Sequence, residues 1–143
     1  MEKKRLKQIF NTTLLDYGFY KENKHYILDI SDDLMVYADL QASSYSPAYY
    51  FNYGFCVKSI NPELPLKSSW GCELTLRGNF NFGKELGLIE YEKITESAFT
   101  CRLKEIIEEN IIPFKTEGIN FLLSKTEWHI AFSLRLKVAL GLE

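Results

Sequence analysis

The sequence predicts an α+β domain: an N-terminal helix, a four-stranded, mostly antiparallel sheet wound as a meander, then two or three C-terminal helices packed on the sheet. Three observations carry this. Residues 2–17 place apolar side chains at helical spacing, residues 25–77 hold period-2 runs separated by short turns, and the last third returns to helical spacing. Strands grouped before helices favour α+β over an alternating α/β order. At 143 residues, 46% of them hydrophobic and 15% aromatic, the chain is expected to form a single globular domain over 1–143 with a substantial core.

The first helix follows from Leu6, Ile9, Phe10, Thr13, Leu14 and Tyr17, which share one face, and Gly18 stands where a left-handed residue ends a helix. His25–Ile30 reads as a short strand, and Ser31-Asp32-Asp33 as the turn before the next. Residues 34–57 are the most informative stretch. Leu34, Val36, Ala38 and Leu40 share one parity and Met35, Tyr37, Asp39 and Gln41 the other. After a Ser/Pro turn, Tyr49, Phe51, Tyr53, Phe55 and Val57 alternate with Tyr50, Asn52, Gly54 and Cys56. Side chains alternate across a strand, so one parity builds a core face and the other an unusual face of tyrosines and amides.

Pro62 and Pro65 mark an irregular segment, and Trp70–Arg77 reads as the fourth strand, with Cys72, Leu74 and Leu76 opposed to Glu73, Thr75 and Arg77. Residues 78–93 form a long loop with one helical turn over 84–88. A helix over 96–112 carries Phe99, Leu103, Ile106, Ile107 and Asn110, and Pro113 ends or kinks it. A short helix over 116–123 and a longer one over 127–140 follow. On the last, His129, Ser133 and Lys137 leave a wide apolar arc, to be packed on the sheet or shared with a second copy, making the protein a monomer or a homodimer through this helix.

Several chemistries are excluded or disfavoured by residue type. Gly78–Glu85 has the glycine and lysine spacing of a phosphate-binding loop, but Glu85 replaces the hydroxyl that must reach magnesium. His25 and His129 lie in no catalytic signature, and no Cys-x-x-Cys or His-Glu-x-x-His is present, so neither a metal nor another cofactor is expected. Cys56, Cys72 and Cys101 are an odd number without paired spacing, expected as free thiols at core or near-core positions. Seventeen basic against nineteen acidic residues give a net charge of −2, with no basic excess for nucleic acid. The basic start lacks a signal peptide's apolar region, and no run has the ~18 apolar residues of a membrane span. A cytoplasmic protein without membrane contact is therefore expected.

What remains is the polar sheet face. Tyr37, Asp39, Gln41, Tyr50, Asn52 and Arg77, with Ser44 and Tyr45 in the hairpin turn, combine aromatic area with directional hydrogen bonds. They are the candidate binding residues, for a protein partner. The plain alternative is the solvated face of an antiparallel sheet. A third has the helices cover this face, with Asp39 and Arg77 paired beneath them. The leading functional expectation is a non-enzymatic protein-binding module, for instance one that neutralises a toxin as an immunity protein does. The competing one is a small-ligand binder or enzyme with a pocket between the sheet and the 78–93 loop.

Several segments together resemble a known family: Tyr17-Gly18-Phe19, Leu40-Gln41-Ala42-Ser43-Ser44-Tyr45, Phe51-Asn52-Tyr53-Gly54-Phe55, Arg77-Gly78 and Ile112-Pro113-Phe114. In this order they are similar to the bacterial family known as domain of unknown function 4304. The resemblance implies a small cytoplasmic bacterial α+β domain. It brings no established activity, cofactor or catalytic set.

Overall fold

The first helix, α1 (Lys3–Asp16), buries Leu6, Ile9, Phe10, Thr13 and Leu14 on one stripe, as their spacing requires. This computed structural model describes residues 1–80 and 87–142. Gly18 takes φ +96°, and the amides of Gly18 and Phe19 return to the carbonyls of Leu15 and Leu14. These two hydrogen bonds form a Schellman closure, which needs a residue free of the left-handed penalty at Gly18.

Among the described residues five strands follow, not four: β1 (Tyr20–Glu22), β2 (His25–Asp29), β3 (Leu34–Ala42), β4 (Tyr49–Val57) and β5 (Leu74–Arg77). They lie in sequence order, each antiparallel to the next. The extra strand, β1, is three exposed residues with no apolar alternation to betray it. It exists because a tight turn, with Asn23 at φ +57°, folds it back on β2. The fourth expected strand, 70–77, shortens to Leu74–Arg77, since Ser69–Gly71 winds into a 3-10 turn.

Register fixes which residues share a face. Leu28, Val36, Phe55 and Leu74 form one row, and Tyr26, Ala38, Tyr53 and Leu76 the next. This face meets the helices. Phe51, Tyr53 and Phe55 run along it with ring centroids 5.3 and 5.9 Å apart, and Phe114 meets Phe55 at 4.9 Å. Each fully buried ring of this kind contributes about 1.5–3 kcal/mol of transfer free energy.

The helical third is more broken than its periodicity predicts. α2 (Glu96–Ile106) opens on Thr95, whose hydroxyl accepts the Ala98 amide. It widens into a π turn over Ile107–Ile111 before α3 (Ile112–Glu117). Pro113, expected to end or kink the helix, has no N–H for the ladder, and the chain passes through it with a change of helical pitch rather than a stop. Gly118, at φ +61°, separates α3 from α4 (Ile119–Ser124), dividing the helix expected over 116–123. The helix expected over 127–140 is likewise divided, into a 3-10 stretch (Thr126–Ala131) and α5 (Leu134–Ala139). Phe132 between them is extended and buried in the core, and Ser133 caps α5 through the Leu136 amide. Burying Phe132 outweighs helical continuity.

The polar parity of the sheet is covered, but not by helices. The segment between β4 and β5 folds over its middle, where Ile27, Met35, Tyr37, Cys56, Leu66 and Cys72 make a second small core. Gly54 allows the approach: a Cβ there would stand 2.6 Å from Cys72 Sγ and 2.8 Å from the Ser69 carbonyl oxygen. Cys72 thus packs on the face opposite to the one its strand parity predicts. Cys101 is exposed on α2, a correction to the expectation that it lies near the core.

Candidate functional site

Beyond the covered middle, the second face ends in two rows fixed by the register. Asp39, Asn52 and Arg77 lie abreast on β3, β4 and β5, and Gln41 lies opposite Tyr50. Asn52 is the hub. Its Nδ2 donates to Gln41 Oε1 at 2.9 Å and to Asp39 Oδ1 at 3.3 Å, while its Oδ1 accepts from Arg77 Nε at 3.3 Å. Arg77 Nη2 donates to Gln41 Oε1 at 3.0 Å. Asp39 spends its other oxygen on the Ser69 amide at 3.0 Å, and Thr75 Oγ1 donates to the Ser69 carbonyl at 2.5 Å. The direct pairing of Asp39 with Arg77, which belongs to the third reading with helices over this face, is not formed; Asn52 stands between them.

The network grades from buried to open. Asn52 is 0% exposed and Asp39 buried, whereas Gln41 and Arg77 reach the surface. The Arg77 guanidinium lies 3.8 Å from the Tyr50 ring centroid and 5.8 Å from that of Trp70. Such stacking holds a guanidinium in place while leaving its outer N–H groups free to bond. Gly87 closes against its aliphatic stem, where a Cβ would come within 2.8 Å. Trp70 is 56% exposed and Tyr45, in the hairpin turn with exposed Ser44, is 97% exposed. The sequence reading missed Trp70, since as the start of the expected strand 70–77 it shares the parity of Cys72 and Leu74, whereas Ser69–Gly71 forms a 3-10 turn and brings it toward Arg77.

The remaining polar candidates do structural work. Tyr37 lies in the second core, where its hydroxyl accepts the Leu66 amide at 3.3 Å and burial raises its pKa. Glu73 turns away from Arg77: 1% exposed, it accepts from Val57 N, Asn61 Nδ2 and both Nε and Nη2 of Arg135. It anchors α5 to the sheet. His25 packs on Tyr37 at 5.2 Å, and the His129 ring lies 3.2 Å from the carbonyls of Leu122 and Leu123.

The geometry gives little support to nucleophilic chemistry. A hydrogen bond with Cys56 and burial push the Cys72 thiol well above its usual pKa, and a bond to Glu105 raises that of Cys101. Both therefore stay protonated at neutral pH, when the thiolate is the reactive form. Among the described residues no three His, Cys, Asp or Glu side chains gather in a metal-binding group. In the 78–93 loop Phe80 and Ile89 are buried and Ile89 bridges to Tyr49, while the pocket expected between this loop and the sheet falls partly outside the described residues. The phosphate-loop spacing ending at Glu85 and the helical turn over 84–88 fall largely outside the described residues.

A family model described as a domain of unknown function, DUF4304, matches residues 10–117. The chain belongs to that family. No curated protein and no solved structure matches it. The matched DUF4304 region contains the whole sheet, the Asn52 network and the segment that covers the second face, while α4 and α5 lie beyond it. Among the described residues no helix is long and apolar enough to cross a membrane.

Proposed function

We propose that this DUF4304 domain is a non-enzymatic protein-binding module whose contact surface is the open end of the second sheet face: Gln41, Ser44, Tyr45, Tyr50, Trp70 and Arg77. The observation that carries the reading is the Arg77 guanidinium. It is held over Tyr50 by the neutral oxygens of Gln41 and Asn52, and no carboxylate among the described residues pairs with it. A positioned arginine, without a carboxylate partner among the described residues and set between half-buried Tyr50 and exposed Trp70, has the composition of interface hot spots. Tyr37, Asp39 and Asn52 serve as the support that fixes these groups from beneath. The partner's complementary feature is a carboxylate able to accept two N–H bonds from the guanidinium. Neutralising a toxin, as an immunity protein does, is one role for such a surface.

The test is quantitative capture from a lysate of the source organism by wild type and by Tyr45→Ala/Trp70→Ala. Both side chains are exposed, so the variant keeps its melting temperature. A protein retained by wild type and lost by the variant supports the reading. Equal capture by both, or none by either, refutes it.

A further inference from the structure

A second candidate site lies on the other face of the sheet and shares none of these contact residues. Between α1, the β1–β2 hairpin and the ends of β3 and β4 is a cavity of about 380 Å³, within the size range of small-molecule sites. Its floor is aromatic: Phe10 meets Tyr26 edge-to-face at 5.4 Å, with Tyr49 beside them. The Tyr26 hydroxyl donates to Asn11 Oδ1 at 2.7 Å, which orients the carboxamide at the wall.

Its rim is cationic. The Lys7 ammonium lies 5.6 Å from the Tyr49 ring centroid and that of Lys21 5.7 Å from Tyr26, with Lys24 as a third cation. Among the described residues no aspartate or glutamate lines the cavity and none of the three lysines forms an ion pair. Glu22, next to Lys21, occupies the alternate strand position and so belongs to the opposite face. In a chain with more acidic than basic residues, three lysines around one cavity, with no counter-charge among the described residues, concentrate positive potential there. Their contacts with the rings keep two of these charges close to the floor.

We infer that this cavity binds a small organic anion with a flat ring, of the nucleoside monophosphate class. The ring lies against Tyr26 and Tyr49, and the phosphate among Lys7, Lys21 and Lys24. Ring faces supply stacking area that is tolerant of ring identity, and the ammonium groups supply the charge that an uncharged nucleoside could not use.

Isothermal titration of the whole chain with AMP at low ionic strength tests this, with adenosine and inorganic phosphate as separate arms. AMP is expected to bind with Kd of about 0.1 mM or tighter, and each half-ligand at least about tenfold more weakly. Lys7→Gln/Lys21→Gln/Lys24→Gln weakens AMP about tenfold or more without changing the ligand-free melting temperature. Ala42→Trp, at an exposed lining position, fills the cavity without altering charge and abolishes binding, whereas Arg77→Ala leaves it unchanged. The inference is overturned if AMP gives no binding heat up to about 5 mM. It is equally overturned if phosphate alone binds as well as AMP, or if the triple lysine variant binds as wild type does.

Discussion

Replacing Arg135 by methionine isolates one interaction with a defined expected cost. Glu73 is 1% exposed and takes two N–H bonds from Arg135, at 2.8 and 3.2 Å. Arg135→Met keeps the aliphatic stem but leaves a buried carboxylate without its cation. Removing one partner of a fully buried pair costs about 3–5 kcal/mol. Here the arginine side chain is 41% exposed, so water screens the charge, and Glu73 keeps the Val57 amide and the Asn61 carboxamide. The expected loss is about 2–3 kcal/mol. For a chain of this length that lowers Tm by about 6–10 °C. Urea unfolding of wild type, Arg135→Met, Glu73→Gln and the double variant measures the coupling directly, expected at about 1–2 kcal/mol. Hydrogen exchange should rise first in α5, because the Ser133 amide also bonds to the Glu73 carbonyl. A loss below about 0.5 kcal/mol, with additive single effects, would refute the view that this pair anchors the C-terminal segment.

Three further outcomes follow from the geometry. Gly54→Ala places a methyl group within 2.8 Å of the Ser69 carbonyl and closer still to Cys72, so a stability loss of about 2 kcal/mol or more is expected by urea unfolding. Asn52→Ala removes the hub between Asp39, Gln41 and Arg77, leaving buried Asp39 short of a donor; a loss of about 1–3 kcal/mol is expected, with increased mobility of the Arg77 side chain by NMR. Burial raises the Tyr53 pKa to about 12. The folded state then holds a proton that the unfolded state has lost, so this contribution is fully present below pH ~10 and is lost as pH rises through the folded value. Unfolding free energy should fall more gently above pH ~10 in Tyr53→Phe than in wild type, and parallel curves would contradict the assignment.

Local chemistry made much of this protein legible from its sequence. Period-2 alternation over 34–57 placed β3 and β4 and separated their faces, because side-chain direction in a strand needs no tertiary information. Gly18 announced the end of α1 for an equally local reason, its tolerance of positive φ. The same alternation, together with the meander pairing that short turns suggest, grouped Gln41, Tyr50, Asn52 and Arg77 on one face, and the register of β3, β4 and β5 places them there. Tertiary contacts decided the rest. β1 is held by pairing with β2, so its three exposed residues carry no pattern. Periodicity alone favoured an unbroken final helix, yet Phe132 gains more by entering the core than the backbone gains by continuing. The covering of the second face also depended on distant residues. The 58–73 segment settles there because Gly54 leaves room for Cys72, and because Asp39 accepts the Ser69 amide. Alternation assigns a side chain to a face; only the folded chain determines what lies over that face, because burial is a property of all the surrounding elements together.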